Sequence, residues 1–173
     1  MILKTQRLIL RPWQESDAQN LYNYAKDPLV GLRAGWQPHE SVEESREIIK
    51  NVLSKKETYA VCLKNDNKAI GSISLMIGED SNIELPLDEA EIGYWIGVPF
   101  WGMGLIPEAC REIIRHARED LKLKTLWCGY FDGNENSKRV QEKCGFVYDH
   151  TNYDIFWERL NITLTEHVSK LIL

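Results

Sequence analysis

Apolar residues recur along this chain with two periods, and the period changes several times. Residues 2 to 11 alternate, with Leu8 and Leu10 on one face and Ile9 on the other, which predicts a strand. Ala18, Leu21, Tyr22 and Ala25 then fall at helical spacing behind Ser16 and Gln19, which make a capping-box pattern. Asp27-Pro28 closes that helix, because the residue before a proline avoids the helical region. Residues 28 to 40, with Gly31, Gly35, Trp36 and Pro38, read as a loop carrying an exposed aromatic. Ser41 and Glu44 repeat the capping pattern ahead of a second stripe, Val42, Ser45, Ile49, Val52 and Leu53.

The middle of the chain returns to strands. Apolar runs at 58 to 64 and 69 to 77 flank Asn65-Asp66-Asn67-Lys68, a hairpin signal. Residues 78 to 89 are polar, acidic and interrupted by Pro86, so they predict a loop. A third long strand follows at about 89 to 98. Ile106, Ala109, Cys110, Ile113, Ile114, Ala117 and Leu121 then form one helical stripe opposite Glu108, Arg111, Glu112, Arg115, Arg118 and Glu119. A strand over 124 to 130, a turn at Asp132-Gly133 and a helix from Asn134 or Asn136 to Cys144 come next, with Gly145 as C-cap and Phe146 packing back. Residues 146 to 153 and 155 to 164 predict two strands, and residues 165 to 173 a short terminal helix.

That order predicts an α+β fold, a mixed and mostly antiparallel sheet with flanking helices, in one domain over residues 1 to 173. The strand-helix-strand unit from 89 to 130 predicts a right-handed parallel crossover. A net charge of −5, from 21 basic and 26 acidic residues, gives no basic footprint for nucleic acid and mildly favours cationic substrates. Cys62, Cys110, Cys128 and Cys144 form no CxxC pair, and the four histidines are dispersed, so no metal site is expected and the thiols read as small buried groups. No leader or membrane-length apolar run is present, which fits a reducing cytoplasm and no membrane partner.

The stretch from Tyr94 to Leu121 carries the clearest chemical signal. An apolar strand ends at Val98-Pro99, a turn bearing Gly102 and Gly104 follows, and an amphipathic helix opens. The first backbone amides of a helix lack partners inside it and sit at the positive end of its dipole, so a phosphate placed there is hydrogen-bonded and neutralised together. Glycines let the backbone approach a ligand closely and adopt positive φ. Pro107 falls in the first turn, where a missing N–H breaks no helical bond. A dinucleotide-binding turn is disfavoured, because GxGxxG is absent and no acidic residue follows at the required distance.

Tyr94-Trp95-Ile96, Trp101-Gly102-Met103-Gly104 and Glu108-Ala109 resemble the acetyl-coenzyme-A motif of the GNAT N-acetyltransferase superfamily, in the branch that includes the ribosomal-protein N-terminal acetyltransferases. Thr5-Gln6-Arg7-Leu8-Ile9-Leu10-Arg11-Pro12 resembles that branch's first strand. Asn134-Glu135-Asn136-Ser137, followed by Val140 and Lys143-Cys144-Gly145-Phe146, resembles its last conserved helix. The matches occur in the family's order. The resemblance implies acetyl-CoA as cofactor, a parallel strand pair that splays apart, and pantetheine in the gap. It also implies cofactor contacts from Ile96, Gly97 and Val98, from the turn Trp101, Gly102, Met103, Gly104, Leu105 and Ile106, and from Asn134 and Ser137.

Acetyl transfer from a thioester to an amine needs a neutral amine, a polarised carbonyl and a stabilised leaving thiolate, and no covalent nucleophile. By resemblance Glu91 is the candidate base, with a solvated strand-end carboxylate as the alternative; Glu89 substitutes if the register differs by one pleat. Ser137 is the candidate acid, where many relatives use tyrosine, with helix capping as the alternative. Asn134 either meets the cofactor or caps the helix. Trp36 and Glu89 are expected in the acceptor site, between the Trp36 loop and the acidic segment from Glu79 to Glu89, with plain loop packing as the alternative for Trp36. The acceptor is a protein N-terminus or a small amine, and the protein a monomer or homodimer. A coenzyme-A-binding regulator without turnover is the reading from another functional class.

Overall fold

The computed structural model describes residues 1–173. Its strands are β1 (Leu3–Lys4), β2 (Leu8–Arg11), β3 (Thr58–Leu63), β4 (Ala69–Ile77), β5 (Glu89–Ile96), β6 (Thr125–Phe131), β7 (Val147–Trp157) and β8 (Ile162–Ile172). Its α-helices are α1 (Ala18–Ala25), α2 (Pro28–Ala34), α3 (Val42–Ile48), α4 (Leu105–Glu119) and α5 (Glu135–Lys143). The eight strands form one sheet in the order β1-β2-β3-β4-β5-β6-β8-β7. β5 and β6 pair in parallel, while β1–β2, β2–β3, β3–β4, β6–β8 and β7–β8 are antiparallel. The expected α+β class therefore holds. Internal contacts divide the chain into two units, Met1–Ser74 with Tyr94–Ala109 and Leu75–Gly93 with Cys110–Leu173, and β4, β5 and α4 contribute residues to both.

In the first unit the predicted strand over 2 to 11 is a two-strand hairpin. Thr5 makes the turn: its N–H donates to the Leu8 carbonyl (3.0 Å) and its hydroxyl accepts from the Leu8 amide (2.9 Å). The polar run Lys4 to Arg7 separates the two strands, and the buried positions change phase across it, from Leu3 to Leu8 and Leu10. Asp17, rather than Ser16, fixes the entry to α1, accepting from the Gln14 amide at 3.0 Å and pairing in the interior with Arg11 at 2.7 Å. Asp27-Pro28 starts a helix as well as closing one. The Asp27 carboxylate accepts from the Leu29 amide (2.9 Å), and Pro28 needs no helical N–H, so α2 occupies part of the expected loop. Ser41 caps α3 through the Glu44 amide (3.0 Å), and Glu44 returns to the Glu40 amide. The core gathers Trp13, Ala18, Leu21, Ala25, Ile49, Ala60, Cys62 and Ala69. Val52, read as part of the α3 stripe, is exposed, because the helix widens into a π-turn over Ile49–Leu53 and rotates it outward.

In the second unit β6 pairs with β8 along Thr125–Phe131, and with β5 over Glu89↔Thr125, Ala90↔Leu126 and Glu91↔Trp127. On α4, Cys110, Ile113, Ile114 and Ala117 are buried, as is His116, whose Nδ1 meets Asp120 Oδ2 at 2.7 Å. α5 ends as predicted: the Gly145 amide donates to Glu142 O (3.1 Å), the Phe146 amide to Gln141 O (3.0 Å), and Phe146 is buried. Two expectations fail at the C-terminus. The predicted break near residue 154 is an irregularity inside β7, where the register with β8 shifts between Asn152 and Ile155 and Asp154 takes φ 55°. The predicted terminal helix is the second half of β8. That segment has β-ladders on both sides, and this pairing outweighs the helical tendency of a short isolated stretch.

Candidate active site

The glycine turn before α4 has the conformation its sequence implies. Gly102 and Gly104 take φ 75° and 71°, a region disfavoured for other residues. The first bond of α4 runs from the Glu108 amide to the Gly104 carbonyl (3.2 Å). The amides of Leu105 and Ile106 precede that bond, so they belong to the set a helix cannot satisfy itself. A Cβ built on Gly102 meets nothing within 4 Å, and one on Gly104 meets only an Arg7 nitrogen at 3.8 Å. This is an open cradle with uncompensated donors and a helix dipole, which fits an anionic group such as a pyrophosphate.

The residues just before the turn are more engaged in the protein than the sequence suggests. The Trp101 amide donates to Val98 O (3.1 Å), so the candidate donor set begins after Trp101. The Trp101 indole N–H donates to Ile96 O (2.9 Å), and the Arg33 guanidinium lies 5.3 Å from the centre of its ring. Gly97 donates its amide to Ile70 O (2.9 Å), and a Cβ there would lie 2.5 Å from the Tyr24 ring. Its glycine is therefore explained by packing alone. Trp36 is half-buried, with its ring 5.9 Å from that of Trp95 and 5.3 Å from His39, and it packs on the core cluster. α2 carries it there, which gives the packing alternative a physical basis.

Glu108, in the first turn of α4, is a firmly anchored carboxylate. It accepts from Thr5 Oγ1 (2.6 Å), the Arg7 amide (2.7 Å) and Arg7 Nε (2.6 Å). Burial pushes its pKa up, but these hydrogen bonds and the Arg7 charge outweigh burial and hold it below the ordinary carboxylate value.

The second unit holds the other candidate groups. Glu91 accepts from Ser81 Oγ (3.0 Å), the Asn82 amide (2.8 Å) and Asn82 Nδ2 (3.2 Å), so it anchors the loop after β4. Glu89, two residues earlier and on the same face, accepts from the Trp127 indole at 2.5 Å. Within the acidic loop, a depression of about 340 Å³ is lined by Glu79, Ser81, Asn82, Ile83, Glu84 and Leu87, among others. Asp88 is ion-paired with Lys124, and hydrogen bonding from Lys124 lowers its pKa. Asn134 is the N-cap of α5 and accepts from the Ser137 amide (3.3 Å). Ser137 takes part in that cap through its backbone, which leaves the hydroxyl out of the capping bond.

Sequence reasoning missed Glu166. It sits in β8 opposite Phe131, accepts from Asn152 Nδ2 (3.4 Å), and lies over Gly129 so closely that a Cβ there would overlap its carboxylate. Burial raises its pKa; the Asn152 hydrogen bond opposes this, the charge of Glu91 adds to it, and His150 opposes it. The expectation of a terminal helix hid it. The alternation of Leu164, Glu166 and Val168 against Thr165 and His167 was the available signal. Arg33 was missed because its segment read as loop.

Comparison with known proteins places this geometry. Residues 7–147 match the family described as the Acetyltransferase (GNAT) domain. The protein YdaF of Bacillus subtilis (strain 168) is 40% identical over 82 residues, spanning 47% of this chain and 42% of that relative. The Ribosomal-protein-serine acetyltransferase of Escherichia coli (strain K12) is 29% identical over 114 residues, spanning 64% of this chain and 60% of that one. Thus the chain spans less than two thirds of the length of both of these relatives. Among solved structures, a GNAT-family acetyltransferase from Bacillus anthracis superposes with a TM-score of 0.86 at 19% identity, over 99% of this chain and 98% of that one. The Microcin C7 self immunity acetyltransferase MccE, solved with acetyl-CoA and AMP, gives 0.77 at 19% identity, over 97% and 93%. No helix of this chain is long and apolar enough to cross a membrane. With a family match across most of its length, and with the glycine turn and helix that the family's cofactor motif requires, the chain belongs to the GNAT acetyltransferases, enzymes that draw on acetyl-CoA.

Proposed function

We propose that residues 1–173 act as one N-acetyltransferase domain that transfers an acetyl group from acetyl-CoA directly to a primary amine, in the cytoplasm. The observation that carries this reading is the turn at Gly102 and Gly104: two positive-φ glycines at the head of a 15-residue helix, opening a cradle of amides. The amides of Gly102 to Ile106, apart from any internal bonds they make, hold the pyrophosphate, and the backbone of Ile96 and Val98 meets the pantetheine arm. When bound, the cofactor supplies an acetyl thioester. The remaining work falls to side chains. A carboxylate, Glu91 or its neighbour Glu89, takes the amine proton directly or through water, and Ser137 gives a hydrogen bond to the departing sulfur.

The acceptor we favour is a protein N-terminal α-amine. Its support is the name of the Escherichia coli relative, a ribosomal-protein acetyltransferase, together with the acidic surface expected to attract a cationic amine. The test is an acceptor screen that reads free thiol, with peptides matching ribosomal-protein N-termini in one arm and polyamines, amino acids and aminated drugs in the other. Turnover concentrated in the peptide arm is expected. Turnover confined to small amines overturns the acceptor, and no thiol release from either arm overturns the enzymatic reading.

A further inference from the structure

The motif Thr5-Gln6-Arg7 lies far in sequence from the glycine turn and has no role in the chemistry above. In the structure it joins the turn directly. Thr5 Oγ1, the Arg7 amide and Arg7 Nε all donate to the Glu108 carboxylate, in the first turn of α4, at 2.6, 2.7 and 2.6 Å. The same guanidinium sends Nη1 to the carbonyl of Met103 at 3.0 Å. Its other terminal nitrogen lies 3.8 Å from where a Cβ on Gly104 would sit. One side chain therefore holds both the helix that follows the turn and a peptide carbonyl inside the turn.

We propose that Arg7 is a positioning residue for cofactor binding: by holding the Met103 carbonyl it sets the orientation of the Met103–Gly104 peptide. A trans peptide is planar, with its C=O and N–H pointing in opposite directions. With the Met103 oxygen drawn toward Arg7, the Gly104 N–H points away from Arg7, as a donor facing the ligand side must. Glycine on both sides of Met103 makes this peptide free to rotate, because φ is least restricted there. Without a fixed carbonyl the turn samples orientations that aim an oxygen, not an N–H, at an anion. Glu108 completes the device. It neutralises the guanidinium, so Arg7 acts through geometry more than through charge, and it ties the β1–β2 turn to the first turn of α4. Lysine cannot replace arginine here, since a single ammonium on a flexible stem does not span Glu108 and Met103 with a planar fork.

This inference rests on the glycine turn being the pyrophosphate site, and the test separates the two. CoA affinity is measured by calorimetry on the full chain for Arg7→Met, Arg7→Lys and Gly104→Ala, and turnover is measured with acetyl-CoA and with acetylpantetheine, which lacks the pyrophosphate. Arg7→Met and Arg7→Lys are both expected to bind CoA about tenfold more weakly, the scale of one lost hydrogen bond to a charged group. Turnover of acetylpantetheine should stay at the wild-type level in both. Full rescue by lysine, unchanged CoA affinity in Arg7→Met, or an equal loss with both donors overturns the role of Arg7. Wild-type CoA affinity in Gly104→Ala overturns the site assignment itself. If Arg7→Met fails to fold, Arg7→Lys, which keeps the charge beside Glu108, carries the same test.

Discussion

The starts of α4 and α5 differ in what holds them in place. At α5 the chain caps itself: Asn134 accepts from the Ser137 amide three residues on, a bond made within one turn. At α4 the corresponding position is Gly104, which has no side chain to turn inward, and the support comes from Arg7 and Thr5, almost a hundred residues away in sequence. A locally capped start consumes its donors. A start built from glycine keeps its donors available but must be held in place from outside. The contrast supports the proposal that the α4 turn, rather than the start of α5, receives the anion, while Asn134 at α5 serves as a cap.

The largest expected effect breaks the open end. Gly104→Ala forces a Cβ onto a backbone at φ 71°, at a cost of about 1–2 kcal/mol, and in relaxing the turn should weaken CoA binding by about tenfold to thirtyfold. Calorimetric titration with CoA checks this, and a wild-type affinity would remove the distinction between the two helix starts.

Next comes a paired test at α5. Ser137→Ala keeps the capping amide, so kcat should fall about tenfold, at or below the low side of general acid-base contributions, with CoA affinity near wild type. Asn134→Ala removes the cap and should lower stability by about 1 kcal/mol, a shift of about 2–4 °C in melting temperature. Thermal melts and steady-state kinetics on both variants separate the roles. A wild-type kcat in Ser137→Ala would leave that residue with a backbone role alone.

The smallest effect concerns Glu166. Burial raises its pKa, so the folded state holds this proton more tightly than the unfolded state does. Between the unfolded and the raised folded pKa the native protein binds more protons, and stability falls as pH rises through that window. Glu166→Gln should therefore gain stability relative to wild type as pH is raised above the ordinary carboxylate range, and the gap should close on acidification. Urea unfolding of both proteins across pH 4 to 8 checks the sign; a gap independent of pH would mean that Glu166 carries no such penalty.

Much of the fold was legible because local signals and tertiary needs agreed. The β3–β4 hairpin follows from two apolar runs around a polar turn, α4 from a stripe of which Ile106, Ala109, Cys110, Ile113, Ile114 and Ala117 are buried, and the end of α5 from Gly145. The glycine turn was legible for the same reason: only a residue without Cβ settles comfortably at those φ values, so the backbone requirement is written in the residue type. The C-terminus was not legible. From Thr165 on, β8 has partners on both sides, and no short window of sequence contains those partners. Neither was the β1–β2 turn: Lys4-Thr5-Gln6-Arg7 contains no glycine or proline to mark it, and its one signal was that Leu3 falls out of step with Leu8 and Leu10.

The sequence by itself determined the order of most elements, the family and the position of the glycine turn, since each rests on residues within a few positions of one another. Tertiary structure alone decided what each polar group is doing. Arg7 and Glu108 read as two ordinary surface charges until the fold brings them to 2.6 Å. Glu91 and Glu89 read as unoccupied carboxylates until Ser81, Asn82 and Trp127 donate to them. Glu166 reads as a tail residue until β8 pairs with β6 and β7 and leaves it half-buried. The physical reason is range. Backbone conformation is set by neighbours in the chain, whereas hydrogen-bond partners and desolvation depend on which distant segments arrive, and one sequence read locally does not contain that arrival.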